Sequence, residues 1–197
     1  MMLLVDIGNT RVKWATHADG RLSPQRAAEH AVWTVADWQR ELFRGQRIES
    51  VLVATVAGDD SRRALEAAAR SAGAARVEFV TSTAAAAGVR NAYSNPRLLG
   101  VDRWVAMIGA YDMASGACCV VDIGTAATLD AVDATGQHLG GFIVPGPHMM
   151  VRSLHAGTSD LASHAAASGG GSGELFADNT RDAIERGCTW RWPRWST

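Results

Sequence analysis

The chain has 197 residues, 47% of them hydrophobic and 20% charged, with a formal net charge of −1. That length allows one sizeable core or two smaller lobes. A near-neutral balance without a basic run excludes nucleic acid and anionic membranes as main partners.

Residues 1–14, MMLLVDIGNTRVKW, open the chain with an apolar run that ends in Asp6. An acid after five residues and no basic flank make this neither a signal peptide nor a membrane span. The run reads as a strand, Asp6-Ile7-Gly8-Asn9 as a tight turn, and residues 11–17 as the returning strand. Asp19-Gly20 signals another turn, followed by a short third strand around Leu22. Thr34 caps an expected helix whose buried face holds Val35, Trp38, Leu42 and Phe43 and which stops at Gly45. Residues 48–56 (IESVLVATV) read as a buried strand, Asp59-Asp60-Ser61 as the start of an alanine-rich helix ending near Gly73, and residues 76–80 as a strand. Three strands, helix, strand, helix, strand describe an α/β lobe with a mixed sheet, antiparallel at its start.

In residues 93–104, YSNPRLLGVDRW, Pro96 and Gly100 mark a loop and Val101 opens a helix to about Ala114. Val101, Trp104, Val105, Met107 and Ile108 cover its apolar face. Asp102 falls in the first turn, where the helix dipole favours a negative charge. Arg103 beside it reads as a surface cation. Residues 117–121 then form an apolar run ending in Asp122-Ile123-Gly124-Thr125, so LLVDIGNTRVKWATHADG returns as CVVDIGTAATLDAVDATG. Asp6 to Gly20 and Asp122 to Gly136 span the same fourteen positions. A matched pair of acid–glycine hairpins indicates two lobes of common shape.

Cys118 and Cys119 are neighbours on a strand, point to opposite faces and cannot bond each other; with Cys188 distant, the cysteines suit a reducing cytoplasm and read as core residues. A third strand over 137–144 ends at Pro145-Gly146-Pro147, and a helix follows over about 148–156. Residues 157–176, rich in Gly, Ser and Ala, read as a mobile loop or lid. Asp178-Asn179-Thr180 starts a helix with Ala183 and Ile184 buried and Gly187 near its end. His148 and His155 share a helix face without a third ligand at useful spacing, so they carry no metal site. Ser153, Ser159 and His155 are too generic for a hydrolase triad. The tail CTWRWPRWST lacks periodicity, and the second lobe is short of one strand–helix–strand unit by internal symmetry.

Two glycine turns, each with a carboxylate, suit a grip on a polyphosphate and its cation, which is what phosphoryl transfer needs. Asp6 and Asp122 are the candidate metal contacts, and Gly8, Asn9, Thr10, Gly124 and Thr125 the candidate phosphate contacts. Lys13 can reach a phosphate oxygen from the second strand. Asp102 is the acid placed to orient an acceptor hydroxyl and take its proton late.

VDIGNTRVKW, YSNPRLLGVDRW, VVDIGTAATLDAV, GGFIVPG and NTRDAIERG, in that order, resemble type III pantothenate kinases over residues 1–187. The resemblance implies an α/β fold of duplicated actin-like ATPase (ribonuclease H-like) lobes with mixed sheets, over residues 1–95 and 96–187, the second incomplete, with an irregular tail over 188–197. It implies ATP-dependent phosphorylation of pantothenate, the first step of coenzyme A synthesis, in a cytoplasmic homodimer. Asp6, Ile7, Gly8, Asn9, Thr10, Arg11, Val12 and Lys13 would form the first ATP phosphate motif and Thr125 a second ATP contact. Asp102 would be the proton acceptor. Asp122 would hold a potassium or ammonium ion, and Asp6 magnesium through water. Tyr93, Gly100, Val101, Asp102, Arg103 and Thr180 would contact pantothenate. Past Gly187 the sequence departs from the family, as a frameshift or early stop would produce. That departure keeps open a non-catalytic, kinase-like binding or regulatory protein; a different kinase of the same superfamily, with a sugar or carboxylate acceptor, is a further alternative.

Overall fold

The computed structural model describes residues 1–157 and 176–189. The elements in order are β1 (Met2–Ile7), β2 (Arg11–Ala18), β3 (Arg21–Leu22), β4 (Arg26–Glu29), α1 (Val35–Phe43), β5 (Ser50–Thr55), α2 (Asp59–Ser71), β6 (Arg76–Phe79), β7 (Ala85–Ala86) and β8 (Val89–Arg90). A 3-10 turn (Pro96–Leu98), α3 (Val101–Ala114), β9 (Cys118–Ile123), β10 (Ala126–Val132), β11 (His138–Pro145), α4 (Pro147–Gly157) and α5 (Thr180–Thr189) follow. By contact density the chain forms two compact units: Met1–Val120 with Asp130–Gly141, and Val121–Leu129 with the described residues from Phe142 onward.

In the first unit β1 pairs antiparallel with β2 and parallel with β5, and β5 pairs parallel with β6. This is the expected mixed sheet. Strand alternation sends Leu3, Val5 and Ile7 into the core, where they pack with Val51 and Val53 and with Trp38, Leu42, Leu65, Ala68 and Ala69 of α1 and α2. Each such large side chain, fully buried, contributes about 1.5–3 kcal/mol. Thr34 caps α1 through a capping box with Asp37, as its position before the apolar stripe indicated.

Several expectations are corrected. Val35, the first residue of α1, is exposed, so the buried face of α1 is Trp38, Leu42 and Phe43 alone. Strand β4, RAAE, was not foreseen, because its residues have low β-propensity; it forms by pairing with the free edge of β2 from Arg11 to Trp14. The short β7–β8 hairpin was likewise not foreseen. Cys119 is exposed and is not a core residue, whereas Cys118 is half-buried and packs against the buried cluster of Val89, Leu99, Trp104, Met107 and Val132. Ala183 is exposed on α5, whose buried residues are Ile184 and Cys188. The expected lid over 157–176 and the tryptophans of the tail lie almost wholly outside the described residues. Helix α3 starts at Val101 and ends at Ala114, as read. It packs Trp104 and Met107 into a second cluster with Val89, Leu99 and Val132.

Candidate functional site

The candidate residues fall into three clusters, two in the first unit and one in the second. The first is the β1–β2 turn. Alternation that buries Ile7 turns Asp6 to the other face, directly opposite Lys13 in the ladder, with Nζ 3.8 Å from Oδ2. A carboxylate and an ammonium thus stand together at the mouth of the turn. Gly8 N–H donates to the Arg11 carbonyl at 2.9 Å, and a Cβ on Gly8 would come within 3.2 Å of that oxygen, so the loop is drawn tight. Asn9, Thr10 and Arg11 are exposed, while Val12 returns to the core. The Gly8 carbonyl accepts a hydrogen bond from Nε2 of buried His30 at 2.8 Å. The sequence carries no local signal for His30, since nothing nearby ties a lone histidine to a turn 22 residues earlier.

The second cluster lies at the start of α3. Gly100 is its N-cap, and a Cβ there would fall 2.6 Å from Asp102 Oδ1, so the glycine leaves room for the carboxylate. Asp102 is half-buried, and Oδ1 accepts the Arg103 N–H at 2.8 Å, which holds the carboxylate at the helix N-terminus. Arg103 is not a surface cation. It is 7% exposed and forms a bidentate pair with Asp130, itself 1% exposed, through Nε to Oδ2 at 2.7 Å and Nη2 to Oδ1 at 2.6 Å. Those hydrogen bonds hold the guanidinium pKa above its ordinary value against the opposing effect of burial. Arg103 Nη1 also donates to the Tyr93 hydroxyl at 3.3 Å. Tyr93 and Arg103, which the resemblance puts in one set of substrate contacts, are brought together by this bond. Asp130 carries no signal in the sequence, because TLDAV reads as a strand interior and its partner lies 27 residues away.

The third cluster belongs to the second unit. Asp122, Gly124 and Thr125 are exposed in the β9–β10 turn, which Gly124 N–H closes by donating to the Ala126 carbonyl at 2.9 Å. Buried Gly146 sits against this turn: its N–H donates to the Thr125 carbonyl at 2.9 Å, and a Cβ there would lie 2.1 Å from the Gly124 oxygen. Thr180 opens α5 behind Asn179, whose side chain caps Asp182 N–H at 3.0 Å. It lines a groove of about 640 Å³ with Met150, Ser153 and Leu154 of α4 and Ile184 and Cys188 of α5.

A family model described as type III pantothenate kinase matches residues 2–193. A type III pantothenate kinase of Halorhodospira halophila is 37% identical over 193 residues, covering 95% of this chain and 74% of the relative. Those of Aromatoleum aromaticum and Herminiimonas arsenicoxydans are 39% and 40% identical, each over 95% of this chain and 74% of the relative. Among solved structures, a protein assigned as a 2-dehydro-3-deoxygalactonokinase from Sinorhizobium meliloti aligns with TM-score 0.53 at 11% identity, over 85% of this chain and 60% of that one. A Campylobacter jejuni protein assigned to the Baf family of transcriptional activators aligns with TM-score 0.50 at 20% identity, over 94% of this chain and 72% of that one. At such identities these two speak for the fold alone, an α/β fold shared with sugar kinases. The sequence matches go further, and the chain belongs to the type III pantothenate kinase family.

Proposed function

We propose that this chain transfers the γ-phosphoryl group of ATP to the primary hydroxyl of pantothenate. The observation that carries the reading is the identity of 36–40% to relatives named type III pantothenate kinase, over 95% of the chain for each of the first seven. The chain spans 74% of the length of the first of these relatives.

In this reading Asp6, Ile7, Gly8, Asn9, Thr10, Arg11, Val12 and Lys13 bind the ATP phosphates, with Thr125 as a further contact. The exposed turn amides approach phosphate oxygens, and Lys13 adds a point charge beside them. Hard carboxylate oxygens fit magnesium at Asp6, through water, and a potassium or ammonium ion at Asp122. Magnesium, when bound with ATP, neutralises charge on the phosphates. Asp102 accepts the hydroxyl proton, late, as bond making to phosphorus proceeds. Tyr93, Gly100, Val101, Arg103 and Thr180 contact pantothenate. Residues 1–95 and 96–187 act as the two lobes of a homodimeric cytoplasmic enzyme. Among the described residues no helix is long and apolar enough to cross a membrane.

The test is phosphorylation of pantothenate by the purified chain with ATP, magnesium and potassium, beside a longer relative. Turnover by the relative alone would refute the catalytic reading, and ATP binding without turnover in calorimetry would favour a binding protein instead. A substrate screen in which a sugar or other carboxylate outcompetes pantothenate would move the assignment to another acceptor. Asp102→Asn is expected to abolish turnover while ATP binding is retained; unchanged turnover removes Asp102 from the mechanism.

A further inference from the structure

Asp130 and His138 form a buried polar core beneath two residues of the proposed acceptor side. His138 is 1% exposed and both of its ring nitrogens are engaged. Nδ1 accepts the Ala92 N–H at 3.4 Å, which leaves the ring proton on Nε2, 3.0 Å from Asp130 Oδ1. The imidazole is therefore a donor to Asp130 through Nε2, and Asp130 takes three donors, two of them from Arg103. The other face of the imidazole's role is steric. The Tyr93 ring lies parallel to it, with centroids 6.2 Å apart and planes 9° from parallel.

We propose that Asp130 and His138 are positioning residues that aim Arg103 and Tyr93 at the acceptor substrate. The inference rests on the pantothenate reading only for what that substrate is. Asp130 occupies the Nε–Nη2 edge of the guanidinium side-on, so the edge turned away from it is Nη1, beside the Tyr93 hydroxyl. His138 fixes both members of that pair, Arg103 through Asp130 and Tyr93 through the ring stack. Asp130 also balances the Arg103 charge. The pair then offers directional donors to a substrate oxygen in place of an uncompensated cation. Asp130 stands on β10 and His138 is the first residue of the adjacent β11, so the sheet register itself sets the aim.

The experiment measures 15N NMR of the full chain and steady-state kinetics on wild type, His138→Leu and His138→Gln. The wild-type imidazole is expected with its proton on Nε2, and the Arg103 Nε–H in slow exchange. His138→Leu should speed that exchange and raise KM for pantothenate about tenfold, the worth of one hydrogen bond to a charged group, with KM for ATP within about twofold. His138→Gln, which returns a donor near the Nε2 position, should recover most of both. A proton on Nδ1 in the wild type overturns the proposal, even if His138→Leu does not fold. So does wild-type Arg103 exchange in His138→Leu, or an equal rise in both KM values. If wild type leaves pantothenate unphosphorylated, the substrate assignment falls, and the Arg103 exchange alone decides the positioning role.

Discussion

Replacing Gly146 by alanine separates close approach from backbone conformation. Gly146 is not among the glycines with positive φ, so its backbone accepts any residue. At such a position alanine ordinarily stabilises by about 0.4–1 kcal/mol, because the unfolded chain loses freedom. Here the new methyl would lie 2.1 Å from the Gly124 oxygen and 2.7 Å from the Thr125 oxygen. Carbon and oxygen settle no closer than about 3.3 Å, so the β9–β10 turn or the start of α4 must retreat by about 1 Å. Such overpacking costs about 1–3 kcal/mol. The Gly146 N–H bond to the Thr125 carbonyl, now 2.9 Å, is lost with it, at about 1 kcal/mol. The expected sum is a loss of about 2 kcal/mol after the entropic gain.

Urea unfolding measures this, with Gly109→Ala as the control. Gly109 is exposed within α3, and a Cβ there meets nothing within 4 Å, so that variant should gain about 1 kcal/mol. A Gly146→Ala midpoint at or above wild type, with the control rising as expected, refutes the argument. Where it is the turn that retreats, the ATP contact proposed at Thr125 is disturbed, and KM for ATP should rise more than KM for pantothenate.

Two further outcomes follow from the structure. Asp133 accepts hydrogen bonds from Gln137 N–H and from the Thr135 hydroxyl and N–H, and these hold its carboxyl below the ordinary value of 3.8. A depressed pKa contributes stability that is fully present above 3.8 and fades as pH falls through the lower folded value. Asp133→Asn should therefore flatten the acid limb of a stability-against-pH curve below about pH 4; an unchanged acid limb contradicts the turn's role. Burial raises the Cys118 thiol pKa, with Cys119 adding to it, whereas Cys119 is exposed. A thiol reagent with mass-spectrometric mapping should label Cys119 before Cys118 and Cys188, and prior labelling of Cys188 would contradict the burial on α5.

What was legible in the sequence was whatever is encoded within a few residues. Thr34 and Asp37 form their capping box three positions apart, and Val101 with Gly100 before it marked the start of α3 to the residue. The acid–glycine turns were legible because they occur twice. The supports beneath the candidate site were not. Arg103 and Asp130 meet across 27 positions, His138 joins from a second strand, and His30 returns 22 positions to Gly8. A single arginine beside an aspartate in a helix looks the same whether it faces water or a buried carboxylate. Only strand register distinguishes the two.

The repeat extends further than its motif, into the way each turn is held. Asp6 and Asp122 are 116 positions apart, and so are His30 and Gly146. In each half a strand paired with the second strand of the hairpin, β4 on β2 and β11 on β10, leads to that equivalent position. Strand β4 is thus the counterpart of the end of β11, although its sequence alone carries no strand signal. At the end of β4 a histidine side chain reaches the Gly8 carbonyl at 2.8 Å. At the end of β11 there is no side chain, and the backbone itself closes on the Gly124–Thr125 turn. The histidine support meets the first turn at one carbonyl, through a single side-chain hydrogen bond. A backbone support leaves no gap, so the second turn tolerates no added atom at Gly146. One inherited topology therefore holds two turns of like sequence by different means. The difference lies at position 30 against 146, not in the motif that the two halves share.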